Sequence, residues 1–363
     1  MKYLLLFGLP LGLSLLLTPL VIKLNTRMGL MDLPDERRKL HPQPVPTAGG
    51  LTVLVSFLVA LAVNHFYSGS EFEVTPGLSL GLGLGCLMVG LLGLIDDLRN
   101  IGPWGKIGVQ LLGGLILYYF DFRVAAITHP FGDTINLTWL SLPMTLIWVV
   151  LVTNAINLID GVDGLASGIV LVSLATLTAV SIRADEVRVL FFAAILGGSL
   201  AGFYIYNFPP AKIFLGDCGS LVLGFALAAI SLIENRKGTT TISLLVPLVA
   251  MGIPILDTGL AFLRRSRNGI NPLTADRHHL HHRLLRLGLS PRQVVVFFLY
   301  ASLYLGFTAT LLAVLPKTYV LLTLVILAVG IYVAMQALKF LEKRLDLPEP
   351  GADCRDGSKE KKE

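Results

Sequence analysis

Charge is what this 363-residue chain has least of: 15% of its residues are Asp, Glu, Lys or Arg, against about 25% in soluble globular domains. That scarcity, beside 54% hydrophobic residues and a mean hydropathy of +0.73, excludes an ordinary soluble protein and indicates an integral membrane one. Cysteine is nearly as scarce. Cys86, Cys218 and Cys354 lie far apart with no CxxC spacing, which argues against both a disulfide framework and a zinc site. No internal repeat and no stretch of soluble-domain composition stands out. The first apolar run, residues 3–22, lacks a clear small-x-small cleavage site and is followed by Lys23 and Arg27. It reads as an uncleaved membrane helix with its N-terminus outside.

What the chain has instead is membrane-length apolar runs. The expectation is an all-α polytopic fold of about eleven spans, near residues 3–22, 49–67, 77–95, 106–120, 140–158, 165–182, 189–206, 219–234, 242–263, 294–315 and 319–341. Residues 1–341 then form one transmembrane domain, expected to carry whatever site the chain has, and 342–363 a charged, disordered tail. With the N-terminus outside, twenty-two of the 29 Lys and Arg fall on inner loops, their flanks or the tail. That asymmetry, with an odd number of spans, places the C-terminus in the cytoplasm; the expected location is the plasma (inner) membrane.

The remaining polar residues gather on the same inner side. Asn154 and Asn157 precede Asp160-Gly161-Val162-Asp163-Gly164 on a bend between two apolar runs. Two acids there are costly unless water, a metal or a partner receives them. Asp96-Asp97 end the third span, where they oppose the helix dipole and call for a cation, either Arg99 or a divalent metal. Phe214-Leu215-Gly216-Asp217-Cys218-Gly219-Ser220 opens the eighth. One of Asp217 and Ser220 is expected to cap that helix, and a glycine-flanked acid there can also hold Mg²⁺ or sit beside a bound phosphate. The longest inner loop carries His278-His279-Leu280-His281-His282 beside arginines, suited to a diphosphate or to proton transfer. Zinc is the weaker reading, because the nearby acids make a hard oxygen set. Arg37-Arg38-Lys39 anchor the first inner loop, and its proline-stiffened continuation to Gly49-Gly50 looks held over a ligand. Asp257, inside the ninth span, is a functional candidate or an arginine's partner.

Taken in order, these motifs resemble the polyprenyl-phosphate N-acetylhexosamine-1-phosphate transferases, over nearly the whole membrane region. The resemblance implies transfer of a sugar-1-phosphate from a UDP-N-acetylhexosamine to a polyprenyl phosphate, with release of UMP and a need for Mg²⁺ or Mn²⁺. It implies catalytic roles for Asp96, Asp97, Asp163, His279, His281 and His282. Asn157, Asp160 and Phe214 would bind the substrate, the last by stacking on uracil, and Asp217 with Asp97 would hold the metal. Val45-Pro46-Thr47-Ala48-Gly49-Gly50 departs from the TPTMGG of the phospho-N-acetylmuramoyl-pentapeptide transferases. The chain is therefore closer to the branch using UDP-N-acetylglucosamine or a related sugar, with the pentapeptide transferase as the alternative. A homodimer is admitted but not required, and nothing calls for nucleic acid. The rival from another class is a cation-coupled transporter. Such sites usually lie near the bilayer midplane, whereas these polar groups converge on one surface.

Overall fold

Among the described residues, 2–32, 44–99, 101–128, 134–233, 245–267 and 279–345 of a computed structural model, thirteen α-helices, two short 3-10 turns and two antiparallel strand pairs make up the structure. Arg37, Arg38 and Lys39 of the first loop, Asp276 to His278, and the tail from residue 346 lie outside the described residues.

The first eight helices are α1 (Lys2–Met28), α2 (Gly50–Ser68), α3 (Pro76–Arg99), α4 (Pro103–Tyr119), α5 (Ser141–Ile159), α6 (Leu165–Ala184), α7 (Val187–Asn207) and α8 (Gly216–Ile233). The rest are α9 (Leu245–Ala250), α10 (Gly252–Arg267), α11 (Leu280–Arg286), α12 (Pro291–Val314) and α13 (Lys317–Arg344). Strand β1 (Met31–Asp32) pairs antiparallel with β2 (Val45–Pro46), and β3 (Ala126–Thr128) with β4 (Thr134–Asn136).

Helix α8 is the axis: 89% of its membrane-length window is buried, against 11% for α13. It packs chiefly on α3 and α5, while α1 lies along α7 and α12 along α6. Its Gly-Ala-Ser-rich sequence allows this. A Cβ at Gly224 would stand 2.7 Å from the Thr153 Cα of α5, so the two backbones touch there.

Among the described residues nine helices are long and apolar enough to cross a membrane, so the expected eleven are not confirmed. Helix α4 has 17 residues, the lower end of spanning length. The expected ninth span is not one helix: it breaks at Met251 into α9 and α10. Pro254 lacks the N–H that would reach the Ala250 carbonyl. Ser173 Oγ of α6 donates to that carbonyl at 3.2 Å, so the break leaves it satisfied inside the bundle. Helix α13 also runs past the expected domain end at residue 341, to Arg344.

Candidate active site

The predicted acids meet around the N-terminus of α8. Two sequence elements far apart bring them there. Gly93 of α3 lies so close that a Cβ would stand 2.5 Å from the Asp217 carbonyl oxygen and the Cys218 Cα. At the start of α2, Gly50 faces Gly219 with no room for a side chain on either. The same α2 start is stitched to the loop before α8. Phe214 N–H donates to the Pro46 carbonyl at 2.9 Å, Gly49 N–H to the Phe214 carbonyl at 2.9 Å, and Gly50 N–H to the Leu215 carbonyl at 2.8 Å. Thus Val45 to Gly50, which continue the first loop, hold Phe214 by its backbone.

Asp97, not Asp217 or Ser220, caps α8. Its Oδ1 accepts the Asp217 N–H at 2.8 Å and its Oδ2 the Cys218 N–H at 3.2 Å. A carboxylate at the end of one helix dipole is thereby satisfied by the beginning of another. Buried Asp96 takes a different partner. Its Oδ1 accepts the Ile101 N–H at 2.5 Å, and its Oδ2 meets Lys106 Nζ at 2.5 Å. The same ammonium lies 2.5 Å from Asp217 Oδ2. Asp217 Oδ1 accepts from Asn157 Nδ2 at 3.0 Å, and that amide also donates to Ser220 Oγ at 2.8 Å.

Lys106 is the residue that reading the sequence missed, because it passes there for one more inner-side basic charge. A signal existed: it stands in the first turn of α4, where a cation opposes the helix dipole as much as Asp96-Asp97 do at the end of α3.

Asn154 is not at the centre. It pairs with Gln110 of α4, Asn154 Nδ2 donating to Gln110 Oε1 at 2.6 Å, one turn deeper in the bundle than Asn157. Asp160 closes α5, and burial, reinforced by the charges of Asp217, Asp97 and Asp163, pushes its carboxyl well above the usual carboxylate range. Asp163 Oδ2 accepts the Ala211 N–H at 3.1 Å and so ties the bend to the loop leading to Phe214. Gly164 adopts φ 70°, a left-handed turn that lets α6 start against the Asn207 carbonyl.

The histidines come from α11. His279 is its N-cap residue, and its Nδ1 lies 2.9 Å from Asp257 Oδ2 of α10; Asp257 Oδ1 accepts the Leu280 N–H at 2.9 Å. Asp257 is thus paired with a histidine and a helix start, not with an arginine. The His279 and His281 rings are parallel with centroids 5.7 Å apart, and His281 and His282 are 4.2 Å apart. His281 is 1% exposed and both its ring nitrogens lack a protein partner. Its Nε2 presses on Gly161, where a Cβ would clash, so the histidine helix abuts the Asp160-Gly161 bend. Burial holds His281 neutral, its pKa pushed down to about 3.

Among the described residues no three His, Cys, Asp or Glu side chains converge as a ready-made metal site. The donors that do converge, Asp96 and Asp217 around one ammonium, are hard oxygens. That set suits Mg²⁺ or Mn²⁺, which typically take one or two carboxylates and complete their shell with substrate phosphates and water.

Residues 79–235 match the model of glycosyl transferase family 4. A probable undecaprenyl-phosphate N-acetylglucosaminyl 1-phosphate transferase of Bacillus subtilis is 34% identical over 307 residues, covering 84% of this chain and 82% of that protein. A decaprenyl-phosphate N-acetylglucosaminephosphotransferase of Mycobacterium leprae is 35% identical, over 77% and 76% of the two chains. A phospho-N-acetylmuramoyl-pentapeptide-transferase of Latilactobacillus sakei is 36% identical, over 56% of this chain and 66% of its own.

Proposed function

The chain belongs to glycosyl transferase family 4, and on that footing we propose that it moves N-acetylglucosamine-1-phosphate, or a related N-acetylhexosamine-1-phosphate, from a UDP-sugar to undecaprenyl or another polyprenyl phosphate. UMP leaves, and the lipid diphosphate sugar opens a cell-envelope glycan. The observation that carries this reading is the meeting of Asp96, Asp97, Asp217, Asn157 and Lys106 at one end of a membrane bundle. The longer match to the Bacillus protein, together with the sequence from Val45 to Gly50, supports the N-acetylglucosamine branch over the pentapeptide alternative.

Both substrates are anions, so the residues must quench repulsion before they can do chemistry. A lipid phosphate oxygen attacks the β-phosphorus of the UDP-sugar, the bond from that phosphorus to the bridging oxygen breaks, and UMP takes the bridging oxygen with it. Lys106 supplies a fixed positive charge between the two phosphates. Asp97 is the exposed member of its pair, although both its oxygens accept N–H groups at the start of α8, whereas Asp96 is buried against Lys106. On that exposure, Asp97 is assigned the residual proton of the lipid phosphate. Asp160, whose carboxyl is pushed above the usual range by burial and by the charges of Asp217, Asp97 and Asp163, lies on the nucleotide side. Phe214 stacks on uracil, and buried His281 supports the Asp160-Gly161 bend from behind. Asp217, with one of the paired aspartates, would hold Mg²⁺ or Mn²⁺, which when bound neutralises charge on the phosphates and on departing UMP.

The reading is tested by UMP release from a panel of UDP-sugars by purified protein in nanodiscs with polyprenyl phosphate and Mg²⁺. Turnover with UDP-N-acetylglucosamine or its epimer is expected; no UMP from any UDP-N-acetylhexosamine would defeat it. In the same protein Phe214→Ala should weaken UDP-sugar binding by about 1–3 kcal/mol, the usual loss for base stacking, as read by calorimetry.

A further inference from the structure

Helix α11 has seven residues, too few to hold its place by its own hydrogen bonds. Besides apolar packing through Leu284, two polar contacts to other helices hold it. One is Asp257, which grips His279 and the Leu280 N–H at its beginning. The other comes from the far end of the chain. Arg283 Nε donates to Glu342 Oε1 at 2.8 Å, and Arg283 Nη2 to Glu342 Oε2 at 2.7 Å. The two residues are 3% and 8% exposed. This fork-to-fork geometry fixes orientation as well as distance. Removing one partner from such a buried pair strands the other charge, so the contact is stringent.

Its placement is informative. His281 and His282 lie between the two fasteners, and the buried His281 presses on the Asp160-Gly161 bend with both ring nitrogens free of protein partners. Helix α13, which carries Glu342, has the smallest buried share of the nine membrane-length helices, 11%. A helix so little embedded has few other means of acting on the site. We propose that the Arg283–Glu342 bridge is a positioning contact, through which α13 sets where α11 holds His281 and His282 against the Asp160-Gly161 bend. Glu342 touches neither substrate in this scheme. It acts through Arg283, and the functional consequence rests on the transferase reading above.

The test uses the full chain in nanodiscs and two readouts. The first is carbethoxylation of His281 by diethyl pyrocarbonate, followed by mass spectrometry, which needs no turnover. The second is kcat for UMP release. In Glu342→Ala, His281 should be modified at least tenfold faster than in the wild type, and kcat should fall at least tenfold. Exchanging the charges, with Arg283→Glu and Glu342→Arg together, should bring both readings back to within threefold, while either reversal alone should not. Should Glu342→Ala fail to give monodisperse protein, Glu342→Gln replaces it, with the same criteria. Unchanged protection of His281 would overturn the proposal. So would faster labelling with unaltered kcat, because the bridge would then fasten a helix of no consequence to turnover. A wild-type chain releasing no UMP would instead defeat the transferase reading, and the labelling would still decide whether the bridge places α11.

Discussion

Lys106 keeps together two carboxylates that would otherwise repel one another across the interior of the site. Replacing it by Ala should leave Asp96 and Asp217 face to face, with one of them driven to take up a proton. Turnover is expected to drop by roughly 10²–10³-fold, the scale on which a single fixed donor supports a developing charge. UMP release at saturating lipid measures this. Asp217→Asn, nearly isosteric, should abolish the response of turnover to added Mg²⁺; wild-type turnover with the same metal titration would show that Asp217 serves only the architecture. His281 gives a pH signature. Its folded pKa of about 3 lies below the roughly 6.5 of an unfolded histidine, so between these values the unfolded chain binds a proton that the folded one does not. Stability is therefore retained above about pH 6.5 and lost as pH falls toward 3, by up to about 1.4 kcal/mol per pH unit from this group. Thermal midpoints of wild type and His281→Gln across that range should diverge, with the variant showing the shallower decline. Which residues meet at this end was partly legible in advance. Acids, amides and histidines stand out in an apolar chain, whereas a lysine beside a membrane span looks ordinary until its partners are seen.

Elements meet the site through close contacts between backbones. Gly93→Val would force α3 away from the start of α8, where the Asp217 carbonyl and Cys218 Cα lie 2.5 Å from the point its Cβ would occupy. Because the opposing atoms are backbone, the strain should exceed the usual 1–3 kcal/mol of an overpacked core. Loss of the Asp97 cap and of activity should accompany a lowered thermal midpoint. Ser173→Ala tests the broken span. It leaves the Ala250 carbonyl without its donor, a cost of about 1–3 kcal/mol, and loosens α10, which carries Asp257. Hydropathy showed where most helices run, since a membrane span is a property of a continuous stretch. It could not show the break at Met251, because the group that makes the break tolerable is a serine on α6. Nor could it show the cap on α8, whose carboxylate arrives from a residue 120 positions earlier.

For the whole molecule the clearest expectation is its orientation. On the basic asymmetry, the acid and histidine end is expected to face the cytoplasm. A single reporter cysteine in place of exposed Lys212 should react with a membrane-impermeant maleimide only from the cytoplasmic side, and one replacing Arg123 only from outside. The reverse pattern would place the site away from a soluble nucleotide sugar and undo the mechanism. Multi-pass character, helical class and the convergence of distant motifs were readable, because all three follow from where apolar runs stop.

The burial of α8 also bears on how the protein is made. Helices leave the ribosome in chain order, and the partners that enclose α8, namely α3 and α5, precede it. The acid cluster around Lys106 can thus close while the later helices are still being synthesised. Helix α11 follows, and Glu342 emerges only with the end of α13. In chain order, the residues around Lys106 are all made before α11 and Glu342. A chain ending before residue 342 would therefore hold the acids' helices but lack the carboxylate that grips Arg283.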